Sequence, residues 1–259
     1  MAKTARHPAT VEELVRLLRG LEDPAARAGM ARFGINPAGT LGVSVTTLRA
    51  IARRTVKNHR LALDLWETGI HEARILASLV DEPGRVSARQ METWAKDFDS
   101  WDVVDQVCSN LFDGTPFAVA KVAEWTGREA EFVKRAGFVL MACLVVHDKA
   151  APDSLFLGFL PLIEREAGDD RNFVRKAVNW ALRQIGKRNM KLHRAAVAAA
   201  RRMRKTNSRS ARWIAADALR ELESEPVRAR LSAGKAKPAS PPRSRSLRKQ
   251  LLKPKGDPR

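Results

Sequence analysis

Polar and apolar positions in this chain recur with a helical period almost from end to end. Thr10-Val11-Glu12-Glu13 has the residues of a capping box, and Val11, Leu14, Val15, Leu17, Leu18 and Leu21 form an amphipathic stripe behind it. Asp23-Pro24 stops that helix, and a short one over 25–32 follows. Phe33 to Val45 is rich in Gly and Pro and reads as a loop. Thr46 or Thr47 is expected to cap the next helix, with Leu48, Ile51 and Ala52 inward and Arg49, Arg53 and Arg54 outward. Further helices are expected over 61–68, 71–79, 87–94, 100–111, 116–125, 129–146, 153–167, 171–185, 190–204 and 208–222. That makes about twelve in all, with short connections and no sustained two-residue alternation, so the fold class is all-α.

Phe132-Val-Lys-Arg-Ala136 matches Phe173-Val-Arg-Lys-Ala177 at an offset of 41, and Ala181-Leu-Arg183 matches Ala218-Leu-Arg220 at an offset of 37. A period of about 40 with paired helices is that of HEAT-type repeats, so a solenoid is expected. After about Ser232 the chain is basic and rich in Pro and Ser. The expected organisation is a repeat domain over 1–232 and a disordered basic tail over 233–259.

Two helices carry chemistry on faces their cores do not need. Val103, Val104, Val107 and Leu111 make one stripe, from which Asp105 points roughly 160° away and Trp101 roughly 120° away. A carboxylate and an indole thus share a spare face. Asp102 is assigned to the helix start, where the dipole favours an acid. In the helix over 171–187, Trp180 lies roughly 160° from the stripe through Val178, with Lys176, Arg183 and Lys187 within about 60° of it. An indole among cations has the composition of a nucleic-acid surface, although packing on a neighbouring repeat is the plainer role. Arg135 opens an otherwise apolar helix, placed to reach a phosphate or to pair with Glu131 or Asp105. Trp66, Trp94, Trp125 and Trp213 are most simply packing residues.

Net charge is +18, of which residues 1–233 keep +10, so the folded part itself favours an anionic partner. No HxxxH or HxH pair, Walker loop, GxSxG or dinucleotide fingerprint occurs; metal binding, nucleotide hydrolysis, serine hydrolysis and dinucleotide redox chemistry lose support. Cys108 and Cys143 read as buried free thiols, which fits a reducing cytoplasm. The first residues do not resemble a signal peptide, and the longest apolar run is about half a membrane span.

Ser100-Trp101-Asp102-Val103-Val104-Asp105, Val133-Lys134-Arg135-Ala136 and Phe173-Val-Arg-Lys-Ala-Val-Asn-Trp180-Ala-Leu-Arg183 resemble, in order and spacing, the AlkD family of DNA alkylation-repair glycosylases. The resemblance covers most of residues 10 to 222. It implies a right-handed solenoid of HEAT-like antiparallel helix pairs whose concave basic face holds duplex DNA containing alkylated bases. It also implies removal of cationic alkylated purines such as 3-methyladenine and 7-methylguanine, by a monomer without cofactor or membrane. By resemblance Trp101, Asp105 and Trp180 are the active-site residues and Arg135 contacts DNA; Lys176, Arg183 and Lys187 are added to the DNA-binding set from their place around Trp180. The basic tail departs from the family pattern. Two other readings stay open: a non-catalytic HEAT-like protein that binds DNA structures, and a protein or RNA scaffold.

Overall fold

A computed structural model describes residues 6–233, and the expected tail lies outside them save for its first residue. Fourteen α-helices occur among the described residues, with one isolated bridge between His7 and Thr55 and no strand. They are α1 (Val11–Gly20), α2 (Pro24–Ala31), α3 (Val45–Arg54), α4 (His59–Glu67), α5 (His71–Val80), α6 (Ala88–Lys96) and α7 (Trp101–Asn110). After a 3-10 turn at Phe112–Gly114 come α8 (Ala118–Trp125), α9 (Glu131–His147), α10 (Asp153–Glu166), α11 (Asn172–Gly186), α12 (Met190–Arg204), α13 (Arg209–Leu222) and α14 (Glu225–Ser232). No helix among the described residues is long and apolar enough to cross a membrane.

Local chemistry explains most helix starts. The Thr10 capping box forms in full. Ser87, Asn189 and Ser208 each accept a backbone N–H at their helix starts. The third helix departs from expectation: Ser44, not Thr46 or Thr47, is the cap, its Oγ accepting from Thr47 N at 3.2 Å, so the helix starts two or three residues earlier. Asn58 likewise starts α4 ahead of the expected Leu61. The unforeseen α14 buries no side chain, so it carries no apolar stripe to read.

The helices stack in two layers. Each of α3, α5, α7, α9, α11 and α13 packs on the next in that series, while α4, α8 and α12 back α5, α9 and α13. The internal sequence matches are the seams of this stack. Phe132 of α9 and Phe173 of α11 lie with ring centroids 5.6 Å apart, and the helices carrying Ala181 and Ala218 are direct neighbours. The core runs without a break from Leu14 to Leu222. Trp66 and Trp94 stack at 4.0 Å, and Phe112 joins Trp94 to Trp125, so those three indoles are packing residues.

One buried carboxylate shapes the loop between α2 and α3. Glu72, fully buried in the first turn of α5, accepts the backbone N–H groups of Leu41 at 2.9 and 3.0 Å, Gly42 at 2.7 Å and Val43 at 3.1 Å. The chain wraps the acid closely enough that Gly42 has φ +88°, and a Cβ there would lie 2.2 Å from the Asp23 carbonyl oxygen. Glu72→Ala strips three buried donors of their acceptor, and a loss of about 3 kcal/mol or more is expected in urea unfolding. A change below about 1 kcal/mol would mean that the loop holds its shape without the acid.

Candidate functional site

The site residues foreseen on two separate helices meet in one cleft of about 510 Å³. Trp101 and Asp105 reach it from α7, and Trp180 from α11. The floor continues along α7 through Asp102, Gln106 and Ser109, at helical spacing on one face. Ala26 and Met30 of α2, Ile35 and Val43 of the loop, Val45 of α3 and Ile75 of α5 make the opposite, apolar wall.

Each wall is pinned to the other. The indole N–H of Trp101 donates to the Phe33 carbonyl at 3.1 Å. Ser100 caps nothing with its hydroxyl; its Oγ instead accepts from Asn36 N at 2.8 Å, and the Asn36 amide donates to Asp99 at 2.7 Å. The start of α7 therefore holds the loop, and the loop fixes the indole.

Asp105 is held by a guanidinium fork. Arg135 Nε donates to one carboxylate oxygen at 3.0 Å and its NH2 to the other at 2.8 Å, while NH1 donates to the Phe173 carbonyl at 2.7 Å. The Arg135 side chain is 7% exposed and that of Asp105 17%. Of the two partners weighed for Arg135 on α7 and α9, the structure selects Asp105. All three donor nitrogens of this arginine are thus used inside the protein, where a contact to DNA was expected from it. Its guanidinium carbon also sits 5.9 Å from the Trp101 ring centroid. Burial raises the Asp105 carboxyl above its ordinary value, and the charge and hydrogen bonds of Arg135 oppose that rise.

The cations around Trp180 divide. Lys176 is exposed and makes no ion pair with a described residue. Arg183 and Lys187 each reach Glu221 of α13 at 2.6 Å, and Arg183 lies 3.9 Å from Asp217. Burial would raise Glu221, but Lys187 and Arg183 outweigh it and hold the carboxyl low. These acids lie 34 and 38 residues further along the chain, beyond the reach of a reading of α11 by itself. Trp180 is half-buried: it packs against the core, as its plainer reading has it, and its remaining surface lines the cleft.

A second carboxylate joins the floor. Asp102 stands at the helix start, as expected, and also lines the cleft. Its Oδ2 is paired with His71 Nε2 at 2.8 Å, and its Oδ1 is buried without a partner. Nothing in the spacing of His71 and Asp102 announces this pair. Burial pulls the His71 imidazole down, but Asp102, helped by Glu72 and Asp99, leaves it above its ordinary value. No cluster of potential metal ligands occurs among the described residues. No Lys or Arg is among the cleft-lining residues, although the chain carries +18.

A family model described as DNA alkylation repair enzyme matches residues 14–222. The chain belongs to this family. The match spans α1 to α13 and so contains the entire cleft. A solved structure from "a new family of proteins related to the HEAT-like repeat DNA glycosylases with affinity for branched DNA structures" is similar in fold, with a TM-score of 0.72 at 19% identity over 86% of this chain and 96% of that one. No curated protein sequence matches the chain. For this alkylation-repair chain, the HEAT-like stack expected from the repeats is the observed architecture.

The His71–Asp102 pair makes stability depend on pH. His71 titrates higher folded than unfolded, so its contribution is complete below about 6.5 and is lost as pH rises through the folded value. The parent chain should therefore lose stability relative to His71→Gln between pH 6 and pH 9. Parallel urea-midpoint curves for the two would contradict this linkage.

Proposed function

We propose that the protein is a monofunctional DNA glycosylase, acting as a monomer on cationic alkylated purines such as 3-methyladenine and 7-methylguanine in duplex DNA. The observation that carries this reading is an acidic, aromatic cleft in a strongly basic chain. The basic surface suits the phosphate backbone, and the cleft suits a positive charge.

Few groups are needed for the chemistry. An alkylated purine bearing a positive charge leaves as a neutral base, taking the electron pair of the C1′–N bond, so no acid has to protonate it. The charge that develops on the deoxyribose is the part requiring stabilisation. Asp105 supplies the opposing carboxylate, and each of its oxygens keeps a lone pair beyond the Arg135 fork for water. Water held by Asp105 then bonds to C1′ and passes a proton to that carboxylate, which releases it to solvent, leaving the abasic sugar with a hydroxyl at C1′. Trp101 and Trp180 offer ring faces to the cationic nucleotide. The absence of Lys among the lining residues supports the monofunctional reading, since a Schiff base needs an amine at the sugar. Lys176 is free to meet a phosphate; Arg183 and Lys187 meet one only by sharing or leaving Glu221.

The similar structure's affinity for branched DNA favours a second reading, a binder in which the Asp105–Arg135 pair is purely structural. Chromatography of bases released from methylated duplex DNA separates the two. Asp105→Asn is expected to lower 7-methylguanine release about 100-fold or more while salt-sensitive binding to undamaged duplex stays unchanged. Unchanged release removes Asp105 from the mechanism, and no release by the parent chain favours the binder.

The pH profile adds a further check. Only the ionised carboxylate serves, so the rate falls as Asp105 gains a proton. Because its carboxyl is raised, the fall should begin at a higher pH than for an exposed Asp with a value of about 3.9. Arg135→Gln removes the opposing guanidinium and should move the acid limb higher still. An acid limb that stays in place in that variant would count against the assignment.

A further inference from the structure

Of the six Trp residues, three are buried in the core and two line the cleft. The sixth, Trp213 on α13, is 39% exposed. One of its faces carries the Arg175 guanidinium, whose carbon lies 4.6 Å from the ring centroid. Arg175 makes no ion pair with a described residue, and its Nε is buried without a hydrogen-bond partner among them. This guanidinium is therefore held against the indole and not against an acid.

On α13 Asp217, one turn from Trp213, is taken up by Arg220, Arg183 and Asn179, while several nearby cations have no acid among the described residues. Lys176 and Arg209 are exposed without ion pairs among the described residues, and Arg212 donates only to the carbonyls of Thr206 and Asn207. The contrast lies two turns further along α11, where Glu221 neutralises Arg183 and Lys187. Lys176 precedes Trp180 by four residues, about 6 Å along the axis. The cationic patch therefore begins where the cleft ends.

An indole with a cation on one face and an accessible surface, with Arg209 one turn away on its own helix and Lys176 beside Arg175 on the next, is complementary to a ligand with both flat rings and phosphates. In a paired duplex the base faces are covered by stacking. We propose that Trp213 is a stacking site for an unpaired nucleobase, on a DNA strand that crosses Lys176 next to the cleft. The site rests on the DNA-binding half of the proposed function and not on catalysis. Its role is to favour DNA carrying unpaired nucleotides beside the segment held at the cleft.

The test compares the full chain, Trp213→Ala and Trp213→Phe on a blunt duplex and on the same duplex with a short single-stranded tail containing 2-aminopurine. Anisotropy reads affinity, and 2-aminopurine quenching reads stacking. The tail is expected to tighten binding by the parent chain about tenfold and to be quenched. Trp213→Ala should lose both effects yet bind the blunt duplex as the parent does, and Trp213→Phe should keep most of the gain. A tail that brings no gain, or a gain that survives in Trp213→Ala, overturns the site. If the parent chain binds neither duplex, the DNA-binding reading falls too, a result distinct from normal blunt-duplex binding without a tail effect.

Discussion

Arg135 is an always-charged group placed near the first turn of a helix that is otherwise buried along most of its length. A guanidinium taken out of water must have its donors met, or the fold bears an uncompensated charge of about 3–5 kcal/mol. Here the three bonds run to two different helices, Asp105 on α7 and the Phe173 carbonyl on α11. One side chain on α9 thus sets the relative position of three successive helices in the stack. Trp180 follows Phe173 by seven residues, about two turns, so the carbonyl that anchors Arg135 also fixes how far along α11 the second indole sits. An apolar replacement of the ion pair could be as stable, but it would lose this registration of α7 against α11.

The other wall of the cleft rests on different physics. Between α2 and α3 the chain has no regular hydrogen-bond ladder, and its amides are gathered by Glu72 instead. Gly42 allows the close wrap, and Trp101 ties the Phe33 end of the loop to α7. The apolar wall is thereby placed opposite the polar face of α7. Loss of the Glu72 anchor and loss of the Trp101 hydrogen bond would both loosen this wall while leaving the Arg135 cross-link in place. The cleft has two independently supported sides, one made by helix stacking and one by a carboxylate gathering backbone N–H groups.

Helical period and punctuation made the stack legible, because each helix carries its own stripe and most have a local cap. The 41- and 37-residue offsets pointed to the seams that Phe132 and Phe173 form. Trp101 and Asp105 were legible for the same reason, as residues on a face that α7 does not bury in the main core. What a single-helix reading cannot hold is the neighbour. Glu221 meets Lys187 and Arg183 only after α13 stacks on α11, and His71 meets Asp102 only after α5 stacks on α7. Trp213, expected to pack in the core or between repeats, packs on Arg175 of the neighbouring α11 and stays 39% exposed, a balance its own helix does not give. These partners were missed for one reason: spacing along a helix gives direction, whereas the partner comes from a helix 30 to 40 residues away.

That distinction decides which residues carry the net charge of +18. Much of the positive charge on the inner layer is already committed, Arg135 to Asp105, Arg183 and Lys187 to Glu221, and Lys134 to Glu166 and Asp169. A committed cation contributes little to long-range attraction, since its partner cancels the field beyond about a Debye length. The charge free to meet a polyanion is therefore set by which cations lack acids, and on α11 that selects Lys176 over Arg183 and Lys187, although all three flank Trp180 by helical spacing. The cleft itself stays without Lys or Arg while Asp102 and Asp105 line its floor. Those carboxylates favour a positively charged group within the cleft over an anionic one.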